Sequence, residues 1–342
     1  MMKYDVTIGI PLYNVQDYIR RALESALSQL YDSIEYLIVD DCSNDSSSKI
    51  ILDIKGSHPR GKHIRVITNH QNMGVSGARN IILDEAQGEY LYFMDSDDVI
   101  FENTISLLIN SIHEYNADIA FGSFEKISVA GTKKLYQYPK LFFSNEDEFA
   151  MFAYREYAGI QASSCNYLVK TSVLRNNGLR FCKSNFWEDM VFTHELITCV
   201  RRVVLLPDIT YSYRCRENSL SNFQQRFVID KTEILNNIKT IDYMKESSIR
   251  LMGKSYFPNR CYIAVMTDFY IACHVLRHRW KIRPSIKNNE IKNAMHHPAS
   301  LRQILSFRQF RMQNLCLYLI GVLPSPFSVT AIWVIGKLKK LI

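Results

Sequence analysis

Short apolar segments alternate with amphipathic helical segments through the first hundred residues, and this alternation restricts the chain to few architectures. The run Val6–Ile10 is apolar and rich in β-branched residues, and residues 17–30 then show helical spacing of apolar side chains. Apolar runs at 36–39 and 64–67 are each followed by a further helical segment, and a fourth run spans 90–94. Repeated strand–helix alternation predicts an α/β fold with a mostly parallel sheet flanked by helices.

Acidic residues close two of these apolar runs. Asp40 and Asp41 follow the second run, and Asp95 and Asp97 follow the fourth. Ligands of parallel sheets bind beyond the carboxyl ends of the strands, so we expect the functional site at this edge. Asp40 and Asp41 are also good helix caps, and this purely structural interpretation stays open beside the functional one.

Charge divides the chain near residue 225. Residues 1–225 carry 22 Lys and Arg against 28 Asp and Glu, whereas residues 226–342 carry 19 against 6 and show almost wholly helical periodicity. We therefore expect an α/β domain over 1–225 and a basic helical region over 226–342. Such a basic region favours a polyanionic partner, either an anionic membrane surface or nucleic acid. Nucleic acid is disfavoured, because the aromatic residues there follow helical core spacing instead of alternating with the basic residues.

Cysteine usage and the N-terminus favour a reducing, cytoplasmic compartment. The eight cysteines are scattered without a C-x-x-C pair, which disfavours a zinc site or a disulfide framework. The first apolar stretch, Val6–Leu12, is too short for the hydrophobic part of a secretory signal, and it lacks a small-residue cleavage site.

Asp95-Ser96-Asp97 is a candidate metal site. The two-residue period of a strand places the carboxylates of Asp95 and Asp97 on one side of the chain. Mg²⁺ and Mn²⁺ prefer oxygen ligands, and Mg²⁺ usually takes one or two carboxylates while water and substrate phosphates complete its shell. An acidic turn that only caps a helix has the same pattern, so the motif is weak when taken alone.

The order and spacing of several motifs resemble the family 2 glycosyltransferases of GT-A fold. The resemblance is carried by Tyr36–Ser43 (YLIVDDCS), Asn72-x-Gly74, Ala78-Arg79-Asn80, Gly88–Met94 (GEYLYFM), Asp95-Ser96-Asp97 and Trp187-Glu188-Asp189. It implies a Rossmann-like GT-A catalytic domain over residues 1–225, followed by a C-terminal helical extension. It also implies a nucleotide-diphosphate sugar as donor, with UDP the nucleotide used most often in the family.

Through the resemblance, four residues take roles toward the nucleotide base. Pro11, Tyr13 and Asn14 correspond to the loop that holds the base, and Asp41 corresponds to the carboxylate that accepts its N–H. An ordinary turn after the first strand and a helix cap are the alternatives for these residues.

Four more residues correspond to the part of the site that binds the sugar and the diphosphate. The resemblance implies that Arg79 lies near the diphosphate, that Asp95 faces the sugar and ribose with Ser96 beside it, and that Asp97 binds Mg²⁺ or Mn²⁺. A solvated charge on a helix is the alternative for Arg79.

Glu188 and Asp189 form the second chemical centre. Aromatic and apolar neighbours should partly desolvate these carboxylates, and desolvation raises the pKa of a carboxylate toward that of a useful base. The resemblance implies that this pair supplies the general base, with Asp189 taking the proton from the acceptor hydroxyl. Stabilisation of a helix N-terminus by acidic side chains is the alternative.

The segment from Tyr211 to Ser221 (Tyr211-x-Tyr-Arg214-x-Arg216-x-x-Ser219-x-Ser221) resembles an aromatic and basic segment that follows the Glu-Asp pair in bacterial members of the family. Arg216 could screen the leaving diphosphate, and a simple sheet edge is an equal alternative. The processive synthases of this broad family carry a Q-x-x-R-W motif, whereas Arg277-His-Arg-Trp280 lacks the Gln. We therefore expect transfer of a single sugar.

The stretch Met312–Gly336 contains no charged residue, and basic residues flank it on both sides. Its length would allow a membrane span, but Pro324 and Pro326 divide it into two short apolar pieces. We expect a pair of helices that lies on an anionic membrane surface. A terminal helix packed on the protein's own core is the alternative.

Together these features predict a glycosyltransferase that works at the cytoplasmic face of the plasma membrane as a peripheral protein, and the family resemblance implies inversion at the anomeric carbon. The expected acceptor is a glycan or a lipid-linked glycan in the biosynthesis of surface polysaccharide. A nucleotide-sugar-binding protein without turnover is the alternative. A nucleotidyltransferase is disfavoured, because no glycine-rich phosphate loop with a Lys follows the first strand.

Overall fold

The structure is a computed structural model that describes residues 4–161, 163–184, 186–216 and 227–342. The strands are β1 (Tyr4–Leu12), β2 (Ile34–Asp40), β3 (Ile64–Thr68), β4 (Gly88–Phe93), β5 (Val99–Ile100), β6 (Ile119–Ile127), β7 (Lys133–Tyr136), β8 (Leu141–Phe143), β9 (Tyr167–Lys170), β10 (Val203–Arg214), β11 (Ile229–Asp230) and β12 (Ile282–Arg283). The α-helices are α1 (Ile19–Leu27), α2 (Ser47–Ser57), α3 (Gly74–Glu85), α4 (Thr104–Tyr115), α5 (Glu148–Glu156), α6 (Thr171–Asn176), α7 (Glu188–Leu196), α8 (Lys231–Ser248), α9 (Phe257–Arg277), α10 (Asn288–Ala294), α11 (Leu301–Ser306), α12 (Arg311–Val322) and α13 (Ser325–Leu338).

The chain forms two compact units. The first unit comprises Met1–Phe149, Ser163–Lys183 and Phe192–Ser219, and the second comprises Ala150–Ala162, Ser184–Val191 and Leu220–Ile342. The domain boundary predicted near residue 225 lies outside the described residues and stays a prediction.

The first unit is built on one large sheet with the strand order β3-β2-β1-β4-β9-β6-β10-β5. Strands β3, β2, β1 and β4 are mutually parallel, which confirms the predicted α/β class. Strand β9 runs antiparallel to both of its neighbours, β4 and β6, in the middle of the sheet. Apolar periodicity carries no information about this direction, because direction depends on which neighbours the strand meets in the fold.

Strand β1 is longer than predicted, and it includes Pro11. The carbonyl of Gly9 accepts a hydrogen bond from the Met94 amide, so alternate residues from Gly9 onward face the β4 side. The pairing of β1 with β4 ends where Gly9 meets Phe93. Pro11 lies beyond that point on the same side, and its missing N–H therefore removes no hydrogen bond to β4.

The turn after β4 is bonded to strand β10. The Tyr211 hydroxyl donates to Asp98 Oδ2 at 2.7 Å and accepts from the Asp95 amide at 3.2 Å. The Arg214 amide donates to Asp98 Oδ1 at 2.7 Å. Asp98 and Tyr211 are both buried, so these bonds are formed away from water and fix the position of the turn.

The second unit consists mainly of helices α8–α13 and the short parallel pair β11–β12. Helix α9 contacts α8, α10, α12 and α13. Its Arg260 side chain is fully buried and donates to Ser248 Oγ at 2.8 Å and Tyr154 Oη at 2.8 Å. None of the helices in the described ranges is both long enough and apolar enough to cross a membrane.

We expect Tyr211→Phe to lower the free energy of unfolding by about 1.5–3 kcal/mol, because the hydroxyl is bonded to a buried carboxylate. Tyr92→Phe is the matched control. Tyr92 is equally buried, and its hydroxyl has no hydrogen-bond partner among the described residues, so we expect its removal to cause no loss of stability. Urea unfolding followed by circular dichroism measures both, and equal effects would contradict the role of the Tyr211 hydroxyl.

Candidate active site

The predicted donor-binding residues of the first unit lie where adjacent parallel strands end. Leu12 at the end of β1 is paired with Asp40 at the end of β2, and β4 ends on the other side of β1. The loops that follow these three strands therefore begin at the same edge of the sheet. This edge is where a ligand of a parallel sheet is expected to bind.

Asp41 is buried and organises the loop that leads into α3. Its Oδ1 accepts from Asn69 Nδ2 and from the Met73 amide, both at 2.8 Å, and its Oδ2 accepts from the Gly74 amide at 2.7 Å. Its predicted contact with a nucleotide base stays a prediction. A carboxylate has about four acceptor positions, so three bonds leave room for one more donor.

Asp40, for which the sequence also allows a capping role, bonds to the loop before α2 and to the first turn of α2. Its Oδ1 accepts from the Ser43 amide at 3.0 Å, and its Oδ2 accepts from the Ser48 hydroxyl. Because the carboxylate is bonded to nearby hydroxyl and amide groups, the structure gives Asp40 a local structural role.

The loop after β1 presents Tyr13 and Asn14 at this edge. Tyr13 is 46% exposed, so its ring offers an accessible flat surface. Asn14 adopts a left-handed backbone with φ 49°, and its Oδ1 accepts from the Asn44 amide at 2.9 Å. Pro11 is a buried residue of β1 and does not belong to this loop, so any contribution of Pro11 to base binding would come from the strand end.

Arg79 on α3 is paired with Asp95. Its Nη2 lies 2.9 Å from Asp95 Oδ1, and its guanidinium carbon is 5.4 Å from the centre of the Phe181 ring. Its side chain is only 5% exposed. A solvated helix charge is therefore the wrong interpretation of Arg79, and a buried ion pair with the acidic turn is the observed one. Ser96, the next residue of that turn, is also buried.

Arg216 is paired with Asp97. Its Nε lies 2.5 Å from Asp97 Oδ2, and its guanidinium carbon is 5.3 Å from the centre of the Tyr18 ring. On the other side of the same residue, Arg21 Nη2 donates to the Asp97 carbonyl at 3.2 Å. Asp97 thus receives one arginine on its carboxylate and another on its backbone.

The carboxylates of this turn lie close together and are largely shielded from solvent. Burial raises the pKa of Asp97, the charge of Asp95 raises it further, and the Arg216 guanidinium offsets only part of this. Burial, followed by the charges of Asp95 and Asp97, raises the pKa of Asp98 well above its usual value. Such shifts are expected where a further positive charge would be stabilised.

The side chains at this turn are of the type that Mg²⁺ or Mn²⁺ prefers, and metal binding here stays a prediction. Asp95 and Asp97 supply two carboxylates, and Mg²⁺ typically takes one or two of them and completes its shell with water and substrate phosphates. In the part of the chain that the structure describes, no group of three His, Cys, Asp or Glu side chains is arranged to hold a metal ion. Asp97 and Asp95 are the residues that would hold the ion.

Glu188 and Asp189 begin α7 and belong to the second unit. Glu188 is buried, whereas Asp189 is partly exposed, and Asp189 Oδ1 accepts from the Met190 amide at 2.7 Å. Trp187, just before them, has a left-handed backbone with φ 74°. The choice between these carboxylates as the general base stays a prediction.

Asp98 and Arg21 are parts of the site that the sequence did not indicate, and Tyr211 lies in a segment for which only Arg216 was given a role. Asp98 carries the one available signal, because it extends the Asp95-Ser96-Asp97 motif by a third carboxylate. Nothing in the spacing of residues along the sequence shows that Tyr211 bonds to Asp98, which is 113 residues away.

Comparison with known proteins supplies independent evidence. The model of the family "Glycosyl transferase family 2" matches residues 7–178, which is half of the chain. Glycosyltransferase GlyA of Streptococcus pneumoniae is 30% identical over 228 residues, which cover 63% of this chain and 31% of GlyA. The glucosyltransferase WfaP of Escherichia coli is 42% identical over 119 residues, which cover 35% of this chain and 44% of WfaP. The matched regions therefore span less than half of each of these two relatives.

A solved structure shows the same fold. The crystal structure of Staphylococcus aureus TarS residues 1–349 in complex with UDP-GlcNAc superposes with a TM-score of 0.66 at 18% identity, covering 93% of this chain and 90% of that one. The family model and this shared fold agree with the motifs gathered at the carboxyl edge of the sheet, and the chain belongs to glycosyl transferase family 2.

Proposed function

We propose that this protein transfers one sugar from a nucleotide-diphosphate sugar to a glycan or lipid-linked glycan in the biosynthesis of bacterial surface polysaccharide, with inversion at the anomeric carbon. The observation that carries the proposal is the acidic turn at the carboxyl edge of the sheet, where Asp95 and Asp97 each hold an arginine. Carboxylates and guanidinium groups placed together suit a ligand that contains both a diphosphate and a divalent ion.

UDP is the proposed nucleotide. The name of WfaP describes a transferase that uses UDP-Glc and acts on GlcNAc-diphosphoundecaprenol, and TarS was crystallised with UDP-GlcNAc. These names support a UDP-sugar donor and an acceptor carried on a lipid diphosphate. The identity of the transferred sugar is left to experiment.

The chain's own residues would bind the two ends of the donor. Tyr13 and Asn14 would contact the base, and Asp41 would accept its N–H at the acceptor position that its loop bonds leave over. Arg79 is held beside Asp95 and would lie near the diphosphate, while Asp95 faces the sugar and ribose. A divalent ion held by Asp97 would stabilise the negative charge that develops on the departing diphosphate.

Asp189 would act as the general base. It would take the proton from the acceptor hydroxyl as that oxygen forms a bond to the anomeric carbon and the bond to the diphosphate breaks. Asp189 is favoured over Glu188 because a base must reach the substrate, and Asp189 is partly exposed whereas Glu188 is buried.

We expect Asp189→Asn to lower turnover by about 10²–10⁴-fold with donor affinity nearly unchanged, because the amide cannot accept the proton. The measurement is release of UDP from a panel of UDP-sugars with an α-GlcNAc-diphospholipid acceptor, together with calorimetric binding of the donor. Glu188→Gln is the matched control. A larger loss with Glu188→Gln would reverse the assignment, and donor binding without any turnover by the wild-type protein would favour a binding protein instead.

The proposed membrane contact is the C-terminal apolar surface, a set of exposed side chains on α12, on α13 and at the junction between them. It consists of Met312, Leu319, Val322, Leu323, Phe327, Trp333, Val334 and Leu338. The two helices contact each other and both pack on α9, so other side chains of the same helices, such as Leu317 and Ile332, are buried. The structure thus combines packing on the core with an uncovered apolar face.

Basic residues adjoin this surface and support an anionic partner. Arg311 at the start of α12 and Lys337, Lys339 and Lys340 at the end of α13 are exposed. Each Lys or Arg near an anionic bilayer contributes on the order of 1 kcal/mol, and exposed apolar side chains add the hydrophobic contribution. We therefore propose that the protein binds the inner face of the plasma membrane peripherally through these helices.

We expect the double substitution Phe327→Ser and Trp333→Ser to weaken binding to vesicles of phosphatidylglycerol and phosphatidylcholine by about tenfold or more, because two large apolar contacts are lost. Leu52→Ser is the matched control, since Leu52 is an exposed apolar residue of α2 in the first unit. Cosedimentation at low salt measures binding. The proposal would be contradicted if the wild-type protein does not bind these vesicles, or if light scattering shows that it forms a dimer that covers this surface.

A further inference from the structure

The two arginines of the acidic turn are held in different ways. Arg79 comes from the middle of α3, is 5% exposed, and contacts the Phe181 ring beside its ion pair with Asp95. Arg216 follows the last residue of β10 by two positions, is 24% exposed, and lies against the Tyr18 ring at the edge of the site. Of the two arginines, Arg79 is therefore the more buried, whereas Arg216 is partly accessible to solvent.

Strand β10 brings Arg216 to Asp97. The bonds from Tyr211 and from the Arg214 amide to Asp98 fix the end of the strand against the turn. Arg216 then continues from this fixed point, and its Nε meets Asp97 Oδ2 at 2.5 Å. The pairing thus follows from the strand's attachment to the neighbouring carboxylate.

Asp97 is also the carboxylate proposed to hold the divalent ion, so one side chain has two candidate cations. A partly buried carboxylate without a counter-charge is unfavourable, and a guanidinium provides that charge with directed hydrogen bonds. The same guanidinium is equally suited to a phosphate. Arg216 can therefore exchange its carboxylate partner for a diphosphate, and its positive charge is paired with a negative charge in both cases.

We propose that Arg216 neutralises Asp97 in the donor-free protein and gives up this carboxylate to the divalent ion when the nucleotide diphosphate binds, moving to the diphosphate itself. This inference rests on the proposed function, because it requires a diphosphate donor and an ion at Asp97. It makes Arg216 a competitor of the metal before the donor binds and a ligand of the donor afterwards.

If Arg216 competes with the ion for Asp97, removing Arg216 has a defined effect on the affinity for the ion. If breaking the Arg216–Asp97 pair is part of binding the ion, then removing Arg216 must increase the affinity of the donor-free protein for that ion. The same substitution must weaken UDP binding, because the diphosphate loses one of its cations. Substitution of a residue that serves only the structure would not raise the affinity for the ion while lowering the affinity for UDP.

The experiment measures binding of Mn²⁺ to the full chain by electron paramagnetic resonance, with and without UDP. For Arg216→Gln without UDP we expect Mn²⁺ to bind about three- to tenfold more tightly than to the wild type, the size expected for loss of a partly exposed ion pair. Calorimetry of UDP in saturating Mn²⁺ should show weaker binding to the same variant.

Arg21→Gln is the matched control. Arg21 also contacts Asp97 and carries the same charge, but it bonds to the carbonyl and not to the carboxylate. We expect a much smaller change in Mn²⁺ affinity than for Arg216→Gln. An equal increase in both variants would show a general effect of charge and would overturn the exchange, as would unchanged or weaker Mn²⁺ binding by Arg216→Gln.

Two further measurements separate this inference from the proposed function. Asp97→Asn should lose most Mn²⁺ binding in the presence of UDP. If the wild type with UDP binds no Mn²⁺, or if Asp97→Asn binds it normally, the metal assignment fails and the exchange fails with it. If those controls behave as expected and Arg216→Gln has no effect, only the exchange is wrong.

Folding of each variant is checked by thermal unfolding. Should Arg216→Gln not fold, Arg216→Met carries the test, because Met keeps a long unbranched side chain but has no charge to pair with Asp97. We expect Arg216→Met to bind Mn²⁺ more tightly than the wild type without UDP. Unchanged affinity in that variant would overturn the proposal.

Discussion

Buried negative charge in the turn after β4 is the constraint on which the rest of the candidate site depends. Three carboxylates fall within four residues of a turn that is largely removed from water. Removing each from water is costly unless an opposite charge or hydrogen bonds compensate it. Different elements supply the compensation, with Arg79 bonded to Asp95, Arg216 to Asp97, and Tyr211 and the Arg214 amide to Asp98.

This compensation also orders the site. Arg79 attaches α3 to the turn, and α3 begins at the loop whose amides bond to Asp41. Arg216 links the end of β10 to the same turn. The loops after β2 and β4, which the proposed function assigns to the two ends of the donor, are thereby connected through one set of ionic and hydrogen bonds within the first unit. A substitution in this set is expected to affect donor binding and stability together.

Much of the fold could be predicted because it is set by local pattern. The apolar runs that end at Asp40 and at Asp95 become β2 and β4, and Pro324 separates α12 from α13 as expected. The antiparallel direction of β9 and the extension of β1 through Pro11 could not be predicted. Both depend on where neighbouring strands lie and end, and periodicity carries no information about that.

The sequence by itself determined the α/β class, the position of acidic residues at strand ends and the apolar character of Met312–Gly336, because these follow from side-chain type and spacing. Only the tertiary structure decided that Arg79 and Arg216 are partners of the turn, and that Asp41 is bonded to the loop before α3. The physical reason is that compensation of a buried charge is a matter of distance in space. Arg216 is 119 residues from Asp97, and only the folded sheet brings the two within a hydrogen bond.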